Sequence, residues 1–135
     1  ARRLLPESIP PLRRRSDKMG RRGMNVTRSE REGVAILRLQ GEFDSFETEE
    51  VRSTFEDCLR EGKKRVVLDL SDLVFANSTT IAYFISAQKR AREAGGGMIL
   101  AKPGEFLRKT LKTLGLDQVL VIRDNLDEAI KTFRG

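Results

Sequence analysis

Four consecutive polar residues, Asn77-Ser78-Thr79-Thr80, follow an apolar run and open onto a helical pattern. Asn77 or Ser78 can cap that helix, whose free N–H groups and positive dipole end would tolerate a negative charge added to Thr79 or Thr80. A phosphorylation switch is therefore physically reasonable here, and the same residues serve equally as an ordinary cap. Asp69 and Asp72 flank Ser71 a few residues earlier, a pairing that suggests acid–base work or Mg²⁺ binding. Without a third ligand or a histidine, turn duty at a strand end is the better reading. Ser78 lacks a Gly-x-Ser-x-Gly elbow and any histidine to take its proton, so it does not read as a hydrolase nucleophile. Gly95-Gly96-Gly97 precedes a strand rather than a helix and reads as a flexible turn, not a phosphate loop.

The totals narrow the chemistry further. The 135 residues contain no histidine and one cysteine, which removes the commonest general base, the commonest metal ligand and any intramolecular disulfide. No catalytic residue, metal site or cofactor is expected. Cys58 shares a helical face with Val51, Phe55 and Leu59 and reads as a small core residue in a reducing, cytoplasmic setting. The net charge of +6 is carried by residues 1–23, with eight basic and two acidic side chains, while residues 24–135 hold 18 of each. The neutral remainder has no bulk attraction for nucleic acid or an anionic membrane. No apolar run approaches the ~18 to 20 residues of a membrane span.

The elements that would position the polar step follow from hydrophobic spacing. Residues 1–23, with Pro6, Pro10, Pro11 and scattered arginines, read as a disordered basic tail, and residues 24–135 as one domain. A strand from Val26, a turn at Glu32-Gly33 and a strand Val34 to Leu39 predict a hairpin, ended by Gly41. A helix is predicted over about 47–60, then a strand over 66–70 whose continuous apolar character suggests cover on both faces. Ile81, Phe84, Ile85 and Ala91 mark a second helix, and Met98 to Ala101 a strand. Phe106, Leu107, Thr110, Leu111 and Leu114 mark a third helix, Val119 to Ile122 a last strand, and Leu126, Ala129, Ile130 and Phe133 a final helix that Asp124 could cap. Alternation of this kind predicts a small α/β fold. Its sheet has about five strands, mostly parallel with an antiparallel N-terminal hairpin, and about four helices. The basic groups Lys89, Arg90 and Arg92, and Arg108, Lys109 and Lys112, read as solvated helix faces.

Two local patterns in this order of elements are familiar: Leu39-Gln40-Gly41-Glu42-Phe43-Asp44, and Val67-Leu68-Asp69-Leu70-Ser71 leading to Phe75-Ala76-Asn77-Ser78-Thr79-Thr80. Over residues 24–135 the chain resembles the STAS domains of bacterial anti-sigma-factor antagonists. The resemblance implies a binding module rather than an enzyme, which docks unphosphorylated on an anti-sigma factor that is also a serine kinase and is released by phosphorylation at the start of the second helix. The family's Asp-Ser-Ser/Thr-Gly signature places the phosphoacceptor at Thr79, with Ser78 as the alternative. Asn77 stands where the family usually has Asp, and Thr80 where it has Gly. The expected docking surface comprises Asp44, Ser45, Asn77, Ser78, Thr79, Thr80 and Tyr83. A homodimer is compatible with this reading, and specific nucleic-acid binding is not expected. The alternative is a STAS scaffold that is never phosphorylated, as an accessory subunit of a stress-signalling assembly or a membrane transporter.

Overall fold

The computed structural model describes residues 25–134, so the reading of residues 1–23 as a disordered tail lies outside the described residues. Its elements are β1 (Val26–Arg31), β2 (Val34–Phe43), α1 (Ser45–Arg60), β3 (Arg65–Ala76), α2 (Ser78–Glu93), β4 (Gly97–Ala101), α3 (Glu105–Thr113), a 3₁₀ turn (Leu116–Gln118), β5 (Val121–Arg123) and α4 (Leu126–Arg134). The five strands lie in the order β1-β2-β3-β4-β5, with β1 antiparallel to β2 and the other neighbours parallel. This is the mixed α/β architecture the sequence predicts.

Alternation along the strands divides the core in two. Ala35, Leu37, Leu39, Val66, Leu68, Leu70, Met98 and Leu100 face one side and pack against Val51, Phe55 and Cys58 of α1 and Phe84, Ala87 and Ala91 of α2. Val34, Ile36, Val67, Ile99 and Ala101 face the other side and meet Ala129 and Ile130 of α4. The central strands thus need apolar residues at successive positions, which explains their continuous hydrophobic runs. Cys58 is fully buried, and that burial pushes its thiol pKa upward.

Four boundaries differ from the sequence reading. β2 does not stop at Gly41 but runs on to Phe43, with Gly41 at φ +93° where the register shifts. β3 is not a short strand over 66–70 and extends to Ala76. Two irregularities, between Asp69 and Asp72 and between Leu73 and Phe75, each give it one more residue than β2. Asp69 and Asp72 therefore lie within the strand, not in a turn. The Asp69 carboxylate accepts from Ser71 N (3.1 Å) and Ser71 Oγ (2.8 Å), which satisfies the first bulge, and Asp72 is paired with Arg38. The last strand is Val121–Arg123 rather than 119–122, because Val119 ends the 3₁₀ turn. Asn125, not Asp124, caps α4: its Oδ1 accepts from Glu128 N at 2.9 Å, while Asp124 pairs with Arg108. The Gly95–Gly97 segment turns into β4 as predicted, with Gly95 at φ +95°, and its middle glycine makes a close approach. A Cβ on Gly96 would sit 1.9 Å from the Lys64 carbonyl oxygen, and Gly97 N donates to that same oxygen at 2.9 Å.

Candidate functional site

β2 and β3 are parallel neighbours, and each runs straight into a helix, so the starts of α1 and α2 stand side by side at one end of the sheet. Phe43 and Ala76 are paired in register, and Asn77 N donates to Phe43 O at 3.1 Å. Asp44 and Asn77 are the two N-caps.

At α1, Asp44 Oδ1 accepts from Phe46 N (2.9 Å) and Glu47 Oε1 accepts from Asp44 N (3.2 Å), a reciprocal capping box. Burial, reinforced by the hydrogen bond with Asp44, pushes the Glu47 carboxyl up to about 7. The same side-chain bond holds Asp44 below the usual carboxylate range. At α2, Asn77 Oδ1 accepts from Thr80 N (3.0 Å), and the first turn carries no acidic residue.

A pair of buried hydroxyls joins the two starts. Thr48 Oγ1 and Thr80 Oγ1 are 2.6 Å apart, and both residues have no exposed surface. Asp44 O lies 2.6 Å from the Thr48 hydroxyl, while Asn77 Oδ1 (3.1 Å) and Phe43 O (3.3 Å) lie beside that of Thr80. Two hydroxyl protons cannot serve all these acceptors at once. Either Thr80 donates to Thr48 and Thr48 to Asp44 O, or Thr48 donates to Thr80 and Thr80 to Asn77 or Phe43.

Of the residues expected on the docking surface, Asp44, Ser45, Ser78 and Thr79 are exposed and Asn77 is half-buried. Thr80 and Tyr83 depart from that expectation, since at 0% and 4% exposure they lie beneath the surface. The Tyr83 ring meets Phe55 edge-on, with centroids 6.3 Å apart, and carries the Arg52 guanidinium 4.7 Å from its centroid. Burial raises its phenol pKa. Only Ser78 and Thr79 offer hydroxyls to a modifying enzyme in this step, because the Thr80 hydroxyl is enclosed.

Sequence reading missed an apolar patch beside this step. Val74 is 73% exposed, Phe75 50% and Phe106 76%, and with Leu73, Ile81 and Leu107 they line a cleft of about 200 Å³ between the end of β3 and the start of α3. Phe106 lies in α3 as the sequence predicts, but exposed, and Leu114, 59% exposed, is the residue that caps the end of that helix. The signal for Val74-Phe75 was their place directly after Leu73, beyond the predicted end of the strand. Among the described residues no group of His, Cys, Asp and Glu is arranged to hold a metal ion, and no helix is long and apolar enough to cross a membrane.

Comparison with known proteins agrees with this architecture. The family model for the STAS domain matches residues 25–129. The anti-sigma F factor antagonist of Paenibacillus polymyxa is 28% identical over 94 residues, covering 69% of this chain and 80% of the relative. A crystal structure of an anti-sigma factor antagonist from Mycobacterium paratuberculosis superposes with a TM-score of 0.72 at 20% identity, over 82% of this chain and 93% of that one. Bacillus SpoIIAA, also 20% identical, matches in its unphosphorylated form with a TM-score of 0.65, over 82% of this chain and 98% of that one. Its phosphorylated form matches with a TM-score of 0.63, over 79% and 97%. The chain belongs to the STAS domain family.

Proposed function

We propose that this STAS domain acts in the cytoplasm as an antagonist of an anti-sigma factor that is also a serine/threonine kinase. The unmodified face around the starts of α1 and α2 docks on that partner, and phosphorylation of Thr79, or alternatively Ser78, breaks the contact. The observation that carries this reading is the state of the α2 N-terminus. Two exposed hydroxyls stand there at a helix start that has no acidic residue in its first turn, next to exposed Val74, Phe75 and Phe106. An uncompensated helix N-terminus accepts a phosphate without internal repulsion. In the docked state the same ~1.5 to 2 negative charges are desolvated against the partner, at a cost of several kcal/mol. Moving a complex from 99% bound to 99% free takes roughly 5.5 kcal/mol, so one modification reaches that scale. In the transfer, the Thr79 oxygen forms a bond to the nucleotide's terminal phosphorus, the phosphoanhydride bond breaks, and the hydroxyl proton passes to a base of the kinase.

The second reading, a STAS scaffold that is not phosphorylated, draws on Asn77 and Thr80. These replace the acid and glycine usual in the family, and in this fold they are tied to each other and to Thr48. Intact-mass spectrometry with site mapping on protein from its own cells, resting and stressed, separates the two. Phosphate on Thr79 or Ser78 in one state supports the switch. An unmodified chain in every state supports the scaffold.

A further inference from the structure

The second flank of α3 differs from the apolar cleft on the first and shares no residue with it. Arg108 and Lys112, one turn apart on α3, converge with Arg92 from the last turn of α2 and Arg123 of the edge strand β5 on an open cleft of about 540 Å³. Val121 and Val119, the latter 47% exposed, also line it. One carboxylate, Asp117, lines it, and Asp124 holds Arg108 from outside at 2.8 Å. Elsewhere on this surface arginines have acidic partners, as in Arg28 with Glu61, Arg31 with Asp127, Arg90 with Glu56 and Arg134 with Glu32. Arg92, Lys112 and Arg123 have no ion pair among the described residues.

The Arg123 guanidinium is also fixed in place: Nε donates to Thr132 Oγ1 and Nη1 to Ile122 O, both at 2.9 Å, which leaves Nη2 uncommitted. The bond to Ile122 O covers a carbonyl of the edge strand, so an incoming chain would be held by its side chains rather than by extending the sheet. With Arg108 answered by Asp124, three cations, Arg92, Lys112 and Arg123, share the cleft with the single carboxylate of Asp117, an excess of positive charge that favours an anionic occupant. The absence of aromatic side chains from the cleft speaks against stacked bases, and the lining valines Val119 and Val121 speak for a ligand with an aliphatic side chain beside its acids. We infer that this cleft binds an acidic peptide segment of a partner protein, its carboxylates on Arg92, Arg108, Lys112 and Arg123 and an aliphatic side chain against Val119 and Val121.

The test is an NMR titration of the full chain with a ten-residue acidic peptide carrying one central leucine, with single-stranded poly-uridine and inorganic phosphate as parallel probes. Saturable shifts should concentrate at 119–123, Arg108 and Lys112, and the affinity should fall as salt rises. Arg92→Glu and Lys112→Glu should each weaken the peptide about tenfold. Lys89→Glu, an exposed cation outside the cleft, should change it less than about twofold. The proposal is overturned if the shifts scatter over the surface, if poly-uridine or phosphate binds this cleft more tightly than the peptide, or if Lys89→Glu weakens binding as much as the cleft variants.

Discussion

The starts of α1 and α2 are built alike and charged differently. Both follow parallel strands, both are N-capped, and a pair of threonine hydroxyls ties them together. At α1 the dipole end is already answered by Asp44 and Glu47, whereas at α2 the cap is a neutral amide and the first turn has no acid. One helix start is thus electrostatically complete, and the other is left open next to two exposed hydroxyls. Neighbouring sites of the same geometry can therefore respond to a new negative charge with opposite sign.

The largest effect should come from cutting the tie between them. Thr80→Val takes from the buried Thr48 hydroxyl its partner across the helix starts, leaving it Asp44 O alone, and removes one of the two donors to Asn77 Oδ1, and should lower unfolding stability by about 1–3 kcal/mol in denaturant titration. Removing both hydroxyls with Thr48→Val/Thr80→Val should cost less than the sum of the single changes. Additive losses would mean that the bridge is not a unit. Next in size are the caps: Asp44→Ala and Asn77→Ala should each cost about 1 kcal/mol. The contrast sharpens with added charge. Thr79→Glu should raise stability by about 0.3–1 kcal/mol, while Ser45→Glu, beside two existing carboxyls, should lower it by a few tenths. Equal responses at the two positions would erase the distinction drawn between the helix starts.

The comparison also has a pH dependence, centred on Glu47 of α1. The folded chain holds the Glu47 proton up to about 7, against an ordinary value of 4.5, so between these limits it binds more proton than the unfolded chain. The contribution of Glu47 is therefore full below about 4.5 and is lost as pH rises through 7. Asp44, Glu56, Glu61 and Asp127 have lowered values, so their contributions lie in the opposite direction and fade only in acid. Glu47→Gln should flatten the decline between pH 4.5 and 7 in thermal melts, whereas substitutions in α2 should leave it in place.

Strand and helix order was legible because burial imposes a period on each element: Val66, Val67, Leu68 and Leu70 fill the two faces of one strand, and Val51, Phe55 and Cys58 must share a helix face. The polar step at Asn77 was legible for a related reason, since a cap needs a short polar side chain directly before the helix. The far half of β3 was not legible. Its bulges place Ser71 and Asp72, residues typical of turns, inside a ladder, and only the pairing with β2 keeps them extended. Thr48 gave no signal either. A threonine within a helix is unremarkable until a second helix brings another hydroxyl 2.6 Å away. The basic residues of α2 and α3 read as solvated because one-dimensional spacing does not reveal that Arg92, Arg108 and Lys112 meet Arg123 across a cleft.

The two bulges of β3 also govern which changes of chain length this end of the molecule could survive. Each bulge absorbs its extra residue locally, so that Asp72 and Leu73, and then Phe75 and Ala76, are again in step with partners on β2. Losing one bulge residue would therefore straighten the ladder there without taking Ala76 from Phe43. Losing both would give β3 the same count as β2 and still bring Asn77 to the place from which Thr80 reaches Thr48. The bulges are slack in the strand, so chain length at this end can change at those two points, whereas a residue lost from the regular pairs beyond them would pull the helix start out of register.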